Sequence, residues 1–271
     1  MTEEFAKGNS YSSVNTLRSA ISAILAPIDG TPAGSHPLIK RFMSGVFNIR
    51  PSLPRYSYTW DVNIVLRYIK SLGPNNEMSL KQLTIKLVTL VALLSGQRCQ
   101  TISMLDLDHV DVTSSAVTFS VVGLTKTSKI GKRPIAVVLP KYPHEEPLCT
   151  VNALKHYLQK TRAVRGKNRN LFLSYVSPHK QVGAETISRW IKSSLSDAGI
   201  DTGRFKAHST RAAACSAAFR KGVPLPTILN TAQWARCGTF AKFYNKNIIP
   251  TDQAFADAVL DRAPIECTDD V

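Results

Sequence analysis

The stretch Ala207-His208-Ser209-Thr210-Arg211 is followed by a run of small residues, Ala212-Ala213-Ala214-Cys215. A polar start before small apolar residues predicts the first turn of a buried helix over residues 207–221. Because His208 and Arg211 are three residues apart, they share one face of that helix. An imidazole and a guanidinium at a helix N-terminus suit an anionic phosphate. The structural alternative is that Arg211 pairs with a carboxylate while His208 only caps the helix.

The charge of the chain indicates the class of partner. The 271 residues carry a formal net charge of +15, although residues 251–271 hold six acidic residues and one arginine. A basic protein of this kind is expected to bind a polyanion, most commonly nucleic acid. A ribosome-like or membrane-surface protein is the alternative. Because no apolar run reaches about 18 residues and no secretory signal opens the chain, we expect no membrane partner.

The cysteines are scattered along the chain and form no C-x-x-C pair: Cys99, Cys149, Cys215, Cys237 and Cys267. This spacing favours reduced thiols in an intracellular protein over a disulfide framework or a zinc site. We therefore expect neither a metal nor a cofactor.

Residues 1–74 are predicted to form a small, basic, all-helical domain that binds DNA. Apolar residues keep helical spacing over 12–25, 38–47 and 59–69, and a break at 71–76 marks the predicted domain boundary. The candidate DNA-contacting residues here are Lys40, Arg41 and Arg55. Such a short unit is marginal as an independent fold, which makes it a candidate for a truncated domain.

Residues 75–250 are predicted to form a second, mixed domain. Ser79 should cap a long apolar helix over residues 80–94, which leaves Arg98 just beyond a buried helix, where its charge needs a partner. Further helices are predicted at 151–160, 184–198, 207–221, 226–235 and 239–246. The expected fold class is α+β, mainly helical.

A small antiparallel sheet is predicted from two apolar segments, 116–122 and 135–139, preceded by the alternating residues 105–112. The turn between the two segments is basic. It carries Lys126, which its place between Thr125 and Thr127 favours as the candidate catalytic lysine. The other basic residues of the turn are rivals for that role and candidates for DNA contacts: Lys129, Lys132 and Arg133.

Residues 251–271 are predicted to form an acidic, amphipathic C-terminal tail. Its apolar residues Phe255, Ala258 and Val259 are candidates for packing against a neighbouring subunit. Packing within the same chain is equally open.

Six residues form the candidate catalytic set: Arg98, Lys126, His208, Arg211, Trp234 and Tyr244. A tyrosine phenol, with a pKa of about 10, can attack a DNA phosphate when nearby positive charge activates it. Two guanidiniums can hold the non-bridging oxygens, and a lysine ammonium can protonate the leaving 5′-oxygen. The 3′-phosphotyrosyl product keeps the bond energy for rejoining, so this chemistry requires neither ATP nor a metal.

The order and approximate spacing of these residues across 79–250 resemble the catalytic domain of tyrosine recombinases. A more local similarity is to recombinases of DIRS-type retrotransposons, near relatives of Cryptons. It is carried by these runs: Gln97-Arg98-Cys99-Gln100-Thr101, His208-Ser209-Thr210-Arg211-Ala212-Ala213, Gly222-Val223-Pro224-Leu225 and Thr239-Phe240-Ala241-Lys242-Phe243-Tyr244-Asn245-Lys246. Upstream similarities extend the resemblance over nearly the whole chain: Arg50-Pro51, Pro54-Arg55-Tyr56 and Trp60-Asp61-Val62.

The resemblance implies a role for each residue of the set. Tyr244 would be the nucleophile, Arg98 and Arg211 would bind the phosphate, and Lys126 would be the general acid. His208 would act as a base or hydrogen-bond donor, and Trp234 would complete the site. The resemblance further implies double-stranded recombination sites as the DNA partner, a homotetramer on paired sites, transposition of a mobile element, and a nuclear location.

Two departures from the family pattern stand out. Thr101 occupies a position where many members carry an acidic residue, so Arg98 must be oriented differently. Trp234 and Tyr244 are ten residues apart, one more than in the best-known bacterial and phage enzymes. The longer spacing fits either a tyrosine delivered to a neighbouring subunit or a longer turn.

Other functions remain open from the sequence. Residues 207–234 could form a helix-turn-helix in a non-enzymatic, domesticated DNA-binding protein. A type IB topoisomerase would share the chemistry but relax supercoils as a monomer. The acidic residues Asp106, Asp108 and Asp111 could suggest a metal nuclease, although a solvated strand edge is the favoured interpretation.

Overall fold

The structure is a computed structural model that describes residues 1–51, 57–125, 128, 131, 134–234, 237–248 and 260. The chain divides into two compact units, Met1–Arg55 and Tyr56–Val271. The described residues are mainly helical with one small antiparallel sheet, which confirms the predicted fold class.

The first unit contains three helices: α1, Thr2–Ala6; α2, Tyr11–Ile24; and α3, Pro37–Ile49. Helix α2 begins after Ser10, whose side chain accepts a hydrogen bond from the backbone N–H of Ser13. Both longer helices were predicted, whereas α1 was not. The candidate DNA-contacting residues Lys40 and Arg41 lie exposed on α3, and Arg55 falls outside the described residues.

Helix α4, Val62–Ser71, begins later than predicted because Asp61 caps it by accepting a hydrogen bond from the N–H of Asn63 at 2.9 Å. Its residues Val65 and Ile69 are fully buried in the main apolar core of the second unit. The compact units therefore divide before α4. The predicted domain boundary near residue 74 stays a prediction. The DNA-binding role of the N-terminal part stays a prediction.

Helix α5, Leu80–Ser95, runs through the core of the second unit. Ser79 caps its start as predicted, and the side chain of Gln82 completes a reciprocal capping box. It ends at Gly96, whose φ of +56° is a left-handed conformation that glycine adopts without strain. Helix α6, Cys99–Ser103, follows directly and brings Arg98 to its N-cap position.

The sheet has the predicted antiparallel order, with strands β1, Val110–Val112, β2, Ala116–Val121, and β3, Ile135–Pro140. Phe119 on the central strand pairs with Val110 on one side and Val137 on the other. The alternate residues of β2 that face the core are buried: Val117, Phe119 and Val121.

Among the described residues, the second unit continues with these helices: α7, Thr150–Arg165; α8, Ala184–Asp197; α9, Ser209–Arg220; α10, Leu225–Thr231; and α11, Cys237–Phe243. Helix α10 is shorter than the predicted 226–235. It ends at Thr231 because Gln233 adopts a positive φ of +56° and the N–H of Trp234 turns back to the carbonyl of Leu229 at 2.8 Å. Trp234 therefore lies in a loop.

Among the described residues, no helix combines the length and apolar character needed to cross a membrane. The four cysteines within the described part of the chain are free thiols. Cys267 and the apolar tail residues Phe255, Ala258 and Val259 lie outside it.

Candidate catalytic site

The first turn of α9 presents two of the predicted site residues. His208 occupies the N-cap position, but its side chain makes no capping hydrogen bond, whereas Arg211 lies within the helix and is only 1% exposed. The turn is anchored from outside by Trp60, whose indole N–H donates a buried hydrogen bond of 2.8 Å to the hydroxyl of Ser209. The site therefore begins on a backbone that the core holds in place.

The guanidinium of Arg211 is buried, and no described residue gives it an anionic partner. One nitrogen, Nη2, donates to the carbonyl of Ala232, while Nε and Nη1 have no hydrogen-bond partner among the described residues. No carboxylate pairs with Arg211 within this part of the chain, unlike the structural alternative considered from the sequence. Buried donors without acceptors are unfavourable, so the arrangement is ready to accept an anion.

Aromatic rings cover this guanidinium. Its carbon lies 4.6 Å from the ring centroid of Trp234 and 5.6 Å from that of Tyr244. The centroids of the two aromatic rings are themselves 4.3 Å apart. The indole nitrogen of Trp234 is buried and has no acceptor among the described residues, which leaves a second kind of free donor at the same place.

The Tyr244 hydroxyl lies 3.1 Å from Nε2 of His208, within hydrogen-bond distance. The two rings meet edge to face, with centroids 6.0 Å apart. The phenol is therefore held between an imidazole, which can take or share its proton, and the ring of Trp234.

Arg98 supplies further positive charge to the same site. It follows Gln97, whose side-chain amide donates to the backbone carbonyl of Thr231 at 2.8 Å and thereby ties this turn to α10. The charge of Arg98 contributes to lowering the pKa of both His208 and Arg211. Thr101, which occupies the position that is acidic in many relatives, is buried.

Burial and positive charge determine the protonation properties of the site. Burial, followed by the charge of Arg98, lowers the pKa of Arg211 to about 10, although Tyr244 and Cys215 act in the opposite direction. The pKa of His208 is also lowered, first by loss of hydration and then by Arg211 and Arg98. Uncharged imidazole is thus favoured beside the Tyr244 hydroxyl, and a bound anion would relieve the repulsion between the guanidiniums.

The structure brings together five of the six predicted catalytic residues: Arg98, His208, Arg211, Trp234 and Tyr244. The sixth, Lys126, lies outside the described residues. So do Lys129, Lys132 and Arg133, the other basic residues of the hairpin turn. Their roles stay predictions.

The acidic residues that could have suggested a metal nuclease serve the local structure. The carboxylate of Asp106 accepts a hydrogen bond from the N–H of Asp108 at 2.7 Å, and Asp108 forms an exposed ion pair with Arg169 at 2.7 Å. Across the described residues, no group of three or more His, Cys, Asp or Glu side chains could hold a metal ion.

Sequence reasoning missed the residues that hold the site together. Ser216 and Arg220 on α9 bind the backbone around Tyr244, and Trp60 binds Ser209. A serine inside a run of small apolar residues was the only signal for Ser216, and nothing in the local sequence distinguishes Arg220 from a solvated arginine.

The model of the phage integrase family matches residues 68–248, which is more than half of the chain. No curated protein matches the sequence.

Three solved structures illustrate the fold. XerA recombinase is 15% identical with a TM-score of 0.54, over 94% of this chain and 84% of that one. XerH recombinase bound to a palindromic difH substrate, in a post-cleavage complex, is 12% identical with a TM-score of 0.56, over 94% and 74%. A lambda integrase dimer bound to a COC′ core site is 14% identical with a TM-score of 0.52, over 91% and 77%. At these identities the likeness shows a shared fold.

Proposed function

Because this chain belongs to the phage integrase family of tyrosine recombinases, we propose that it cuts and rejoins double-stranded DNA at specific sites through a 3′-phosphotyrosyl intermediate. The observation that carries the proposal is the guanidinium of Arg211, which is buried close to the ring of Tyr244 and whose Nε and Nη1 have no hydrogen-bond partner among the described residues. The same residue is a phosphate-binding group and the neighbour of a nucleophile. A purely structural arginine would be expected to find acceptors for these donors.

The proposed reaction begins at the Tyr244 hydroxyl. Its oxygen forms a bond to the scissile phosphorus as the bond to the 5′-oxygen breaks, and Nε2 of His208, 3.1 Å away, takes the phenolic proton. The leaving 5′-oxygen receives a proton from Lys126, the candidate general acid. Rejoining runs through the same steps in reverse, with a 5′-hydroxyl attacking the phosphotyrosyl bond.

The guanidiniums of Arg211 and Arg98 would bind the non-bridging oxygens, where negative charge gathers in the transition state. Donors positioned in a buried site contribute about 3–4 kcal/mol each to lowering such a barrier. The free indole N–H of Trp234 is a further donor to the phosphate. The preference of His208 for its uncharged form supports its action as a base.

The biological setting extends the proposal. The local similarity to DIRS-type elements supports transposition of such an element, action in the nucleus, and a homotetramer on paired sites. The related XerH and lambda integrase structures contain bound DNA, and one lambda integrase structure is a tetramer on a Holliday junction, which supports DNA as the partner. The strong positive charge predicts binding that weakens steeply with salt.

Covalent trapping tests the function directly. Wild-type protein is incubated with a pool of nicked duplexes of randomised sequence. After cleavage, the short strand that carries the new 5′-hydroxyl diffuses away, so rejoining is blocked. We expect a covalent protein–DNA adduct from wild-type protein and from the control Tyr142→Phe, which alters an exposed tyrosine, but none from Tyr244→Phe. Adducts formed by Tyr244→Phe would overturn the assignment. The DNA sequenced from wild-type adducts would give the target site.

Two alternatives predict different outcomes. A non-enzymatic DNA-binding protein would form no adduct in any variant, and its DNA affinity would follow surface lysines and not Arg98. A type IB topoisomerase would form the adduct but relax supercoiled DNA as a monomer without joining two sites. The free donors around Tyr244 favour an enzyme over a binding protein.

A further inference from the structure

We propose that Ser216 and Arg220 are positioning residues that hold the segment carrying Tyr244 at the phosphate site. We call this pair the tyrosine anchor. The inference rests on the proposed function but goes beyond it, because it assigns the residues that hold the nucleophile in place.

Ser216 joins α9 to the backbone on both sides of residue 245. Its hydroxyl donates to the carbonyl of Tyr244 at 2.6 Å and accepts from the N–H of Lys246 at 3.0 Å. The side chain is fully buried, so water cannot replace these bonds without opening the packing. One hydroxyl thus binds both a backbone carbonyl and a backbone N–H of the same short segment.

Arg220 extends the contact by one helical turn. Its Nη2 donates to the carbonyl of Lys246 and to the side-chain oxygen of Asn247, both at 2.9 Å. From the other side, the buried Thr59 donates its N–H to the carbonyl of Asn247 at 2.7 Å. The segment from Tyr244 to Asn247 is therefore held between α9 and the stretch that precedes α4.

Helix α9 fixes the position of the tyrosine anchor relative to the phosphate site. It carries Arg211 in its first turn and Ser216 and Arg220 further along, so a single rigid element holds both the anion donors and the nucleophile's backbone. The N–H groups of Tyr244 and Asn245 both bond the carbonyl of Phe240, at 2.9 and 2.8 Å, which closes the end of α11.

This rigidity has a consequence for the rate of cleavage. A displacement of about 1 Å between reacting groups reduces an enzymatic rate by roughly 10²-fold. Releasing the carbonyl of Tyr244 and the N–H of Lys246 should let the phenol sample positions away from His208 and Arg211. The effect should fall on the chemical step and leave DNA affinity unchanged.

The first experiment measures single-turnover adduct formation at saturating DNA together with DNA affinity and melting temperature. We expect Ser216→Ala to slow adduct formation by about 10- to 100-fold at unchanged DNA affinity. The matched control is Ser194→Ala, which removes a buried hydroxyl that has no hydrogen-bond partner among the described residues. A Ser216→Ala rate equal to that of Ser194→Ala would overturn the anchor.

A second variant covers the case in which Ser216→Ala fails to fold. Arg220 is exposed, so Arg220→Met removes its bonds to Lys246 and Asn247 without opening the core. We expect a several-fold slower rate at saturating DNA, compared with no change for Arg162→Met, an exposed arginine at the end of α7. Equal rates for the two variants would contradict the role of Arg220.

The wild-type protein separates failure of the anchor from failure of the proposed function. A wild-type protein that forms no adduct would overturn the proposed function. Wild-type rates in both Ser216→Ala and Arg220→Met, beside an active wild-type protein, would overturn only the tyrosine anchor.

Discussion

The guanidinium carbon of Arg211 lies 4.6 Å from the ring centroid of Trp234. This contact links the first turn of α9 to the loop that follows α10. Since Nη2 of the same guanidinium binds the carbonyl of Ala232, the stacked and hydrogen-bonded positions together set its orientation. The free nitrogens Nε and Nη1 then remain for a ligand.

Replacing Arg211 with lysine should abolish most of the activity even though the charge remains. A lysine ammonium cannot stack on Trp234, bind Ala232 and present two further donors at once. We expect Arg211→Lys to slow formation of the covalent adduct by about 10²- to 10³-fold, measured in single turnover at saturating DNA. Arg162→Lys, on the exposed face of α7, should retain the wild-type rate. Near-normal cleavage by Arg211→Lys would show that stacking and bidentate binding are unimportant.

The buried ammonium of Lys86 predicts a variant that is more stable than the wild type. Lys86 on α5 is 1% exposed, and its Nζ has no hydrogen-bond partner among the described residues. Burial lowers its pKa to about 8, with an opposing effect from Glu146. We expect Lys86→Met to raise the free energy of unfolding at pH 7 by about 1–3 kcal/mol, measured by urea denaturation.

The pH dependence of this gain checks its cause. Between a folded pKa of about 8 and the higher value of the unfolded chain, the unfolded state binds more protons, so the contribution of Lys86 to stability improves as pH rises. The advantage of Lys86→Met should therefore shrink from pH 7 to pH 10. Lys81→Met, at an exposed position on α5, should change little at either pH. A destabilised Lys86→Met protein at pH 7 would mean that the ammonium has a partner.

His208 should become protonated at a lower pH than an ordinary histidine. Burial and the charges of Arg211 and Arg98 lower the pKa of His208 below 6.5. The unfolded chain therefore binds this proton more tightly than the folded protein does. The contribution of His208 to stability is lost as pH falls from 6.5 through the lowered pKa. Adduct formation should likewise decline on the acid side of 6.5. Removing one positive charge in Arg98→Gln should raise the pKa of His208, measured by NMR titration with His208→Asn as the assignment control. An unchanged pKa in Arg98→Gln would place that charge away from the imidazole.

The buried bond between Trp60 and Ser209 should stabilise the first turn of α9. Trp60→Phe keeps an aromatic ring but leaves the Ser209 hydroxyl without its donor, so we expect a loss of about 1–3 kcal/mol in the free energy of unfolding. A double-mutant cycle with Ser209→Ala, measured by urea denaturation, isolates the interaction from packing. Additive effects of the two substitutions would indicate that the bond contributes nothing.

Local sequence was sufficient for much of the fold because the relevant interactions join neighbouring residues. The capping box of Ser79 and Gln82, the left-handed Gly96 and the alternation along β2 all act within a few positions. The spacing of His208 and Arg211 on α9 follows from helical geometry in the same way. These elements were predicted with nearly correct bounds.

Tertiary structure decided where those elements meet and which polar groups pair. The assignment of α4 to the second unit depends on contacts with distant helices, and the loop that places Trp234 over Arg211 depends on the turn after α10. The bonds of Ser216 to the Tyr244 segment span about thirty residues of chain. Composition and periodicity record which side chains prefer burial, but a buried donor or acceptor finds its partner only when separate segments pack together.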